Sequence, residues 1–202
     1  MERLQDRFAK AHTQVLGVSV DSKFCHAGWA RSLGGISFPL LADFQPRGAT
    51  AKAYGLYLDE PGITDRATVI IDASGVVRHA SSVGPGGERD IDELAMLCEE
   101  IDGDHGEGLE DVPAPAGLEA GAELYVRSGC GFSTWTLEAR DNLHLQDALP
   151  VHNVSDDEAA LAGLKELTGK EQAPCLVVGG EAIQESADIV KHLVSRATNI
   201  PG

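Results

Sequence analysis

The chain has 202 residues and a formal net charge of −16, which fits one large domain or two small ones. Its surface should be strongly acidic, because the pI is about 4.7. Such a surface repels phosphate backbones and anionic lipids, so binding to nucleic acid or to a membrane is not expected. The sequence shows neither a bilayer-length apolar run nor a signal-peptide core, and it predicts a cytoplasmic protein.

The cysteines are far apart in the sequence and stand at positions 25, 98, 130 and 175. No two of them have the spacing of a redox dithiol or of a zinc site, so free thiols are expected. The seven histidines are scattered and form no cluster. We therefore predict no metal and no tightly bound cofactor.

Residues 1–101 are predicted to form a mixed α/β domain with a parallel crossover and then an antiparallel hairpin. Asp21 and Ser22 are expected to cap the helix that carries Cys25. The first strand is expected to be buried and the third to be central in its sheet. The predicted elements are helix 2–13, strand 15–20, the helix after Ser22, strand 38–43, helix 47–54, strands 67–72 and 76–81, and helix 88–101.

Residues 102–121 read DGDHGEGLEDVPAPAGLEAG, a segment of glycine, proline and acidic residues without periodic apolar positions. This composition is typical of a solvated linker that is semi-rigid around its prolines. The sequence therefore predicts a first domain at 1–101, a linker, and a second domain at 122–202.

The second domain shows the element order β-α-β-α-β-β-α, which is the order of the thioredoxin fold. The loop between its first strand and first helix holds Cys130. The predicted elements are strand 122–127, helix 132–143, strand 149–154, helix 156–168, two short strands around the Gly179-Gly180 turn, and helix 186–197.

Cys130 is predicted to lie at the N-terminus of a helix, where unpaired N–H groups and the helix dipole favour negative charge. A thiol in that position has a lowered pKa and more of it is the reactive thiolate. Ser133 stands where a dithiol would have its second cysteine, and its hydroxyl is expected to donate a hydrogen bond to the thiolate. One thiol here can attack a disulfide, hold a mixed disulfide and be released by an outside thiol. The competing interpretation is a small buried residue at a strand–helix junction.

The segments LYVRSGCGFS, QAPCLVVGGEAI and ESADIVKHL resemble glutaredoxins, with a Glu-Ser pair similar to that of glutathione-transferase N-terminal domains. The resemblance implies that Cys130 is the nucleophile and that Pro174 is a cis-proline beside it. It also implies that the Ala173 backbone pairs with the cysteinyl part of glutathione. Glu185 and Ser186 would hold the γ-glutamyl end of glutathione, the implied co-substrate; their competing interpretation is an ordinary helix cap.

Two positions qualify this resemblance. Monothiol glutaredoxins that bind iron–sulfur clusters carry a lysine before the motif, where Arg127 is nearest here, and the Glu-Ser pair favours the transferase-like relatives. Cys175, directly after the proline, is expected to be a packed core thiol rather than a resolving one.

The segments VSVDS, PLLAD and AYG, together with the run RATVIIDASGVVR, resemble peroxiredoxins of the alkyl hydroperoxide reductase and thiol-specific antioxidant group. In that family the arginine before the central strand contacts the peroxidatic sulfur and the peroxide, and Arg66 matches it. Its fixed cation would stabilise a thiolate and the charge that develops on the leaving oxygen. The competing interpretation of Arg66 is a surface salt bridge.

The chain departs from the family because it contains no P-x-x-x-T-x-x-C pattern and lacks the first two family strands. We expect a truncated reading, with selenocysteine upstream, a mis-chosen start codon and a truly shortened protein as the alternatives; the in-frame upstream DNA distinguishes them. Cys25 is expected to be buried or idle rather than a substitute or resolving thiol. Cys98 is expected in the core.

The fold class is thus two thioredoxin-fold α/β domains joined by an acidic linker, the first without its N-terminal strands. The resemblances imply a peroxiredoxin–glutaredoxin hybrid that reduces peroxides with glutathione or a related thiol, without peroxidase turnover by the chain as it stands. The alternatives are a glutathione-dependent thiol transferase and a non-catalytic binding module. A homodimer is compatible with the resemblances, and the oligomeric state stays open because the missing strands change which sheet edges are exposed.

Overall fold

The computed structural model describes residues 1–111 and 113–199. The remaining positions of the predicted linker and second domain lie outside the described residues. The described residues fall into two compact units, which are residues 1–26 with 38–111, and residues 27–37 with 113–199.

The first half of the chain contains three separate pairs of strands. β1 and β2 pair in parallel, whereas β3 with β4 and β5 with β6 are antiparallel. The predicted parallel crossover and hairpin are therefore confirmed. The elements are a short 3-10 turn Glu2–Leu4, α1 Gln5–Lys10, β1 Gly17–Ser19, α2 Lys23–Ser32, β2 Leu40–Ala42, α3 Ala49–Ala53, β3 Tyr57–Leu58, β4 Ile63–Thr64, β5 Ala67–Ile71, β6 Val77–Ser82 and α4 Ile91–His105.

Two expectations for this half are corrected, and one hairpin was missed. The first strand is not buried, since Leu16 and Val18 are 54% and 38% exposed. In the part of the chain that the structure describes, β5 pairs only with β6 and is therefore not central. The β3–β4 hairpin was not predicted, because a two-residue strand carries too little periodicity to be read from sequence.

The core of the first unit lies between α1, α4 and β5. Phe8 from α1 meets Ala95 and Cys98 from α4, and Ile70 contributes from β5. Asp90 caps α4 by accepting a hydrogen bond from the backbone N–H of Glu93 at 3.0 Å. Cys98 is 5% exposed, so its predicted place in the core is confirmed.

The second half forms one four-stranded mixed sheet with the order β10-β9-β7-β8. β7 runs parallel to β8 and antiparallel to β9, and β9 is antiparallel to β10. Every predicted element is present in the predicted order. The elements are β7 Glu123–Val126, α5 Gly131–Asn142, β8 Val151–Asn153, α6 Glu158–Thr168, β9 Cys175–Val178, β10 Glu181–Ile183 and α7 Ser186–Ala197.

Alternation along β7 and β9 sends side chains to opposite faces of this sheet. On one face, Leu124 and Leu176 pack with Ile189 of α7, and all three are fully buried. On the other face, Tyr125 and Cys175 pack against α6. Because both faces are covered, the ends of the strands are held at fixed positions, which matters for the site described below.

The segment between α4 and β7 is largely exposed, as its composition predicts, and contacts anchor it at its two ends. α4 continues to His105, so the helix ends four residues beyond the predicted position. Further on, the backbone N–H of Gly117 donates to the carbonyl oxygen of Arg196 at 2.9 Å, and Glu119 pairs with His192 and Arg196 of α7. A backbone hydrogen bond and charged contacts with α7 therefore hold the end of this segment that leads into β7.

Candidate active site

The last residues of β7, β8 and β10 and the first residue of β9 lie at the same end of the four-stranded sheet. Tyr125 of β7 is opposite Cys175, the first residue of β9, and Val126 is opposite Asn153 at the end of β8. β10 likewise ends at Ile183 opposite Leu176. This register brings the Cys130 loop, the Ala173-Pro174 bond and the start of α7 to the same end of the sheet.

Cys130 occupies the N-cap position of α5, with extended backbone angles of φ −93° and ψ 116°. It is partly exposed. Its side chain makes no capping hydrogen bond in the resting geometry, so the first amides of α5 are not satisfied by the N-cap side chain and remain available to a thiolate. The predicted place of Cys130 at a helix N-terminus is confirmed, and the competing interpretation as a buried residue is wrong.

The pKa of the Cys130 thiol is lowered, and the main cause is the backbone N–H of Ser133. Partial burial opposes this shift, while the Ser133 hydroxyl, the backbone N–H of Phe132 and the charge of Arg127 add to it. The predicted hydrogen bond from Ser133 to the thiolate thus contributes, although the backbone of the same residue contributes more. The sulfur is therefore accessible and biased towards its nucleophilic form.

Arg127 connects the Cys130 loop by hydrogen bonds to α5 and to the segment before β9. Its backbone N–H donates to the Ser133 Oγ at 3.0 Å, and its guanidinium Nη2 donates to the carbonyl oxygen of Glu171 at 2.9 Å. Ser133 is 1% exposed, and its hydroxyl both accepts the Arg127 backbone N–H and helps to lower the pKa of Cys130. Sequence reasoning noted Arg127 only as a departure from the family lysine.

The residues predicted to hold glutathione lie at the same end of the sheet as Cys130. The Ala173–Pro174 peptide bond is cis, as the resemblance implies. Glu185 is exposed at the N-cap of α7, and Ser186, the first residue of that helix, is buried. Glu185 occupies the N-cap position without a capping hydrogen bond from its side chain, and its role towards glutathione stays a prediction. Its carboxylate lies at the surface, where an ammonium group can reach it.

The other thiols differ from Cys130 in accessibility. Cys175 is fully buried, and burial raises the pKa of its thiol; its predicted role as a core residue is confirmed. Burial also raises the pKa of Cys98. Cys25 was expected to be buried or idle; it is exposed, so burial is wrong and an idle thiol stays a prediction. It lies in the first turn of α2 rather than on a face that packs into the core.

Arg66 belongs to the first unit, whereas the other predicted site residues belong to the second. Its Nε donates to the carbonyl oxygen of Pro85 at 3.1 Å, and it borders a cavity of about 240 Å³ that Arg89 also lines. Burial, and then the positive charge of Arg66, lower the pKa of Arg89. The interpretation of Arg66 as a surface salt bridge finds no partner among the described residues, and its role towards a peroxide stays a prediction.

The described parts of the chain offer no group of three histidine, cysteine or acidic side chains placed to hold a metal ion. None of the helices in residues 1–111 and 113–199 combines the length and the apolar character that a bilayer crossing demands.

Two family models match the chain. Residues 1–80 match the AhpC/TSA family, and residues 122–183 match glutaredoxin. Alkyl hydroperoxide reductase E of Mycobacterium tuberculosis is 38% identical over 104 residues, which cover 48% of this chain and 67% of that protein. Peroxiredoxin-4 of Bos taurus is 34% identical over 134 residues, covering 62% of this chain and 46% of that protein.

Among solved structures, Mycobacterium tuberculosis AhpC has 29% sequence identity and a TM-score of 0.46, covering 49% of this chain and 59% of its own. The sequence matches define a thiol-dependent oxidoreductase of the peroxidase class. The chain belongs to the AhpC/TSA family of peroxiredoxins and carries a glutaredoxin domain behind the matched region. It spans about two thirds of the mycobacterial alkyl hydroperoxide reductase E and about half of the bovine peroxiredoxin-4.

Proposed function

We propose that the second unit catalyses glutathione-dependent thiol exchange at Cys130 and that it serves the peroxiredoxin unit in a peroxide-reducing hybrid. The observation that carries this proposal is the accessible Cys130 thiol at the N-cap of α5, which has a lowered pKa and lies at the same end of the sheet as cis-Pro174. Helix amides stabilise the thiolate, and the Ala173 backbone and the Glu185 carboxylate at this end of the sheet can bind a peptide thiol.

The exchange runs in two balanced steps. The Cys130 thiolate attacks the glutathionyl sulfur of a mixed disulfide, which forms a Cys130–glutathione disulfide and releases the other sulfur as a thiolate that takes a proton. A second glutathione, as its thiolate, then attacks the glutathionyl sulfur on Cys130. Glutathione disulfide leaves and the Cys130 thiolate is restored. Ser133 stabilises this thiolate both as the attacking and as the leaving group.

In the hybrid, the substrate of this exchange would be the oxidised first unit. A hydroperoxide oxidises the peroxidatic sulfur or selenium to the corresponding acid and is itself reduced to an alcohol or water. Glutathione condenses with that acid and water leaves, which produces the mixed disulfide or selenosulfide that Cys130 resolves. Residues 1–202 supply Arg66 for the peroxide step and no cysteine in the family pattern. A tethered second unit would meet this substrate at high effective concentration.

The test is reduction of a small-molecule glutathione mixed disulfide, followed as glutathione disulfide formation. We expect turnover by the unmodified chain, loss of it in Cys130→Ser, and near-normal rates in Cys25→Ser, which also removes an accessible thiol. Equal activity in the Cys130→Ser variant would refute the assignment of the nucleophile. No turnover by either protein, with glutathione still bound, would instead indicate a binding module.

A further inference from the structure

A polar cluster in the loop after β8 holds the residue that leads into the Cys130 turn. Ser155 Oγ accepts a hydrogen bond from the backbone N–H of Ser128 at 3.1 Å. The Ser128 hydroxyl donates to Asp156 Oδ2 at 3.4 Å and accepts from Asn153 Nδ2 at 2.8 Å. Ser128 is therefore held through its main chain and its side chain together.

This cluster is itself fixed at both ends. Asn153, the last residue of β8, accepts the backbone N–H of Ser155 on its Oδ1 at 3.1 Å. On the other side, Asp157 caps α6 by accepting the backbone N–H groups of Ala159 and Ala160 at 2.9 and 3.1 Å. Ser155 and Asp156 thus project from a loop that a half-buried strand and a capped helix hold in place.

The Ser128–Gly129 turn, which this cluster contacts, depends for its shape on hydrogen bonds from other parts of the chain. Only Gly129 separates Ser128 from Cys130, and its φ of +70° lies in the left-handed region. Glycine enters this region without steric cost but is equally free to leave it, and the turn's own hydrogen bond, from the backbone N–H of Cys130 to the carbonyl oxygen of Arg127, is long at 3.4 Å. Fixing a backbone residue costs conformational entropy, which contacts from outside the turn help to offset.

We propose that Ser155 and Asp156 are positioning residues for the thiol exchange, which keep the Ser128–Gly129 turn in the form that sets Cys130 at the start of α5. They do not touch the sulfur and act only through Ser128. This inference rests on the proposed function, because Ser155 and Asp156 can position the reacting thiol only if Cys130 is the nucleophile.

A purely electrostatic role for Asp156 would have the opposite sign. A carboxylate near Cys130 disfavours the thiolate, so removing its charge would lower the pKa of the thiol and speed its reaction at acidic pH. Loss of positioning instead lets the sulfur leave the amides of Phe132 and Ser133 for part of the time. The pKa of Cys130 then rises and the reaction slows.

The experiment measures the alkylation rate of Cys130 against pH, together with kcat and KM for the glutathione mixed disulfide, in the Cys25→Ser chain. The variants are Ser155→Ala, Asp156→Ala, their combination, and Asp156→Asn, which keeps an acceptor oxygen. Glu158→Gln is the control variant, because it removes a charge from the first turn of α6 and Glu158 makes none of the hydrogen bonds to Ser128. Removing hydrogen bonds worth about 1 kcal/mol should slow labelling by the combined variant about fivefold at slightly acidic pH.

We expect the pKa of Cys130 to rise in the combined variant, kcat to fall with KM nearly unchanged, Asp156→Asn to recover most of the rate, and Glu158→Gln to behave as the unmodified chain. A lowered pKa in Asp156→Ala, or an unchanged rate in the combined variant, would overturn the positioning role. If the unmodified chain itself showed no lowered pKa, the proposed function would fail instead, so the two failures are distinguishable.

Discussion

Two strand-to-helix junctions, β1–α2 and β7–α5, each place an accessible cysteine at the start of a helix, but they surround the sulfur differently. At the first junction the backbone N–H of Cys25 donates to Ser22 Oγ at 3.3 Å, and the Cys25 thiol donates to Asp21 Oδ1 at 3.8 Å. At the second junction Cys130 is itself the N-cap, and the charge of Arg127 lies nearby.

The difference shows that a helix N-terminus does not activate a cysteine by its position alone. The hydroxyl of Ser22 already uses an amide of the first turn of α2, and the neighbouring charge is negative. In α5 the first amides act on the sulfur, and the neighbouring charge is positive. The chemistry of each junction therefore depends on which side chain caps the helix and on the sign of the charge beside it.

The largest effect should appear when all four thiols are alkylated in the native chain. Cys98 and Cys175 react only through unfolding, so we expect their labelling to be slower by more than about a thousandfold. Cys130 should be labelled first as the pH is raised from acid, before Cys25. Peptide mapping by mass spectrometry after timed labelling measures all four sites, and a chain unfolded in urea provides the control.

The sign of the pH dependence follows from the lowered pKa of Cys130. A folded-state pKa below the unfolded value means that the thiolate stabilises the fold at pH above the unfolded pKa. This contribution is lost as the pH falls through the folded pKa. The labelling midpoint of Cys130 should therefore be lower in the native chain than in urea. Earlier labelling of Cys25 than of Cys130 would break the contrast between the two junctions.

An intermediate effect is expected from Ser133→Ala. The substitution removes the hydroxyl that accepts the Arg127 backbone N–H and helps to stabilise the thiolate. A donor left without its partner in this partly buried position costs at most about 1–3 kcal/mol. We expect the pKa of Cys130 to rise but to remain below its unfolded value, because the backbone N–H of Ser133 is retained.

The measurements for Ser133→Ala are urea denaturation and the pH dependence of Cys130 labelling. Thr134→Ala is the matched control, because it removes a hydroxyl from the same turn that donates to the Cys130 carbonyl oxygen and not to the sulfur. Equal changes in both variants would mean that the effect belongs to the helix and not to the site.

Much of the second unit could be predicted from sequence because its signals are local. Continuous apolar strands, glycines beside Cys130 and a proline before β9 each act within a few residues, and the structure has all the elements in the predicted order. The contacts that hold the site are different in kind. Ser128 meets Ser155 and Asp156 across a gap of 27 and 28 positions, and no short motif joins them.

The errors in the first half have the same origin. VLGVSV reads as a buried strand because its apolar residues are consecutive. Whether they are buried depends on what covers the strand, and Leu16 and Val18 remain exposed. Cys25 was likewise expected to be buried or idle from its residue type. Burial is decided by tertiary neighbours, which composition and periodicity do not specify.

The smallest effect should come from Asp21→Asn at the first junction. It removes the negative charge beside Cys25 and keeps an oxygen that can accept from Ser19 Oγ, which donates to Asp21 at 2.7 Å. A carboxylate opposes the anionic thiolate that must attack the reagent, and exposed charge pairs are worth less than about 1 kcal/mol, so we expect Cys25 labelling to rise about two- to threefold. Asp59→Asn, another exposed charge of the first unit, should leave the rate unchanged. If Asp21→Asn left Cys25 as slow as before, the sign of the neighbouring charge would not explain the contrast, and the cap provided by Ser22 would have to account for it alone.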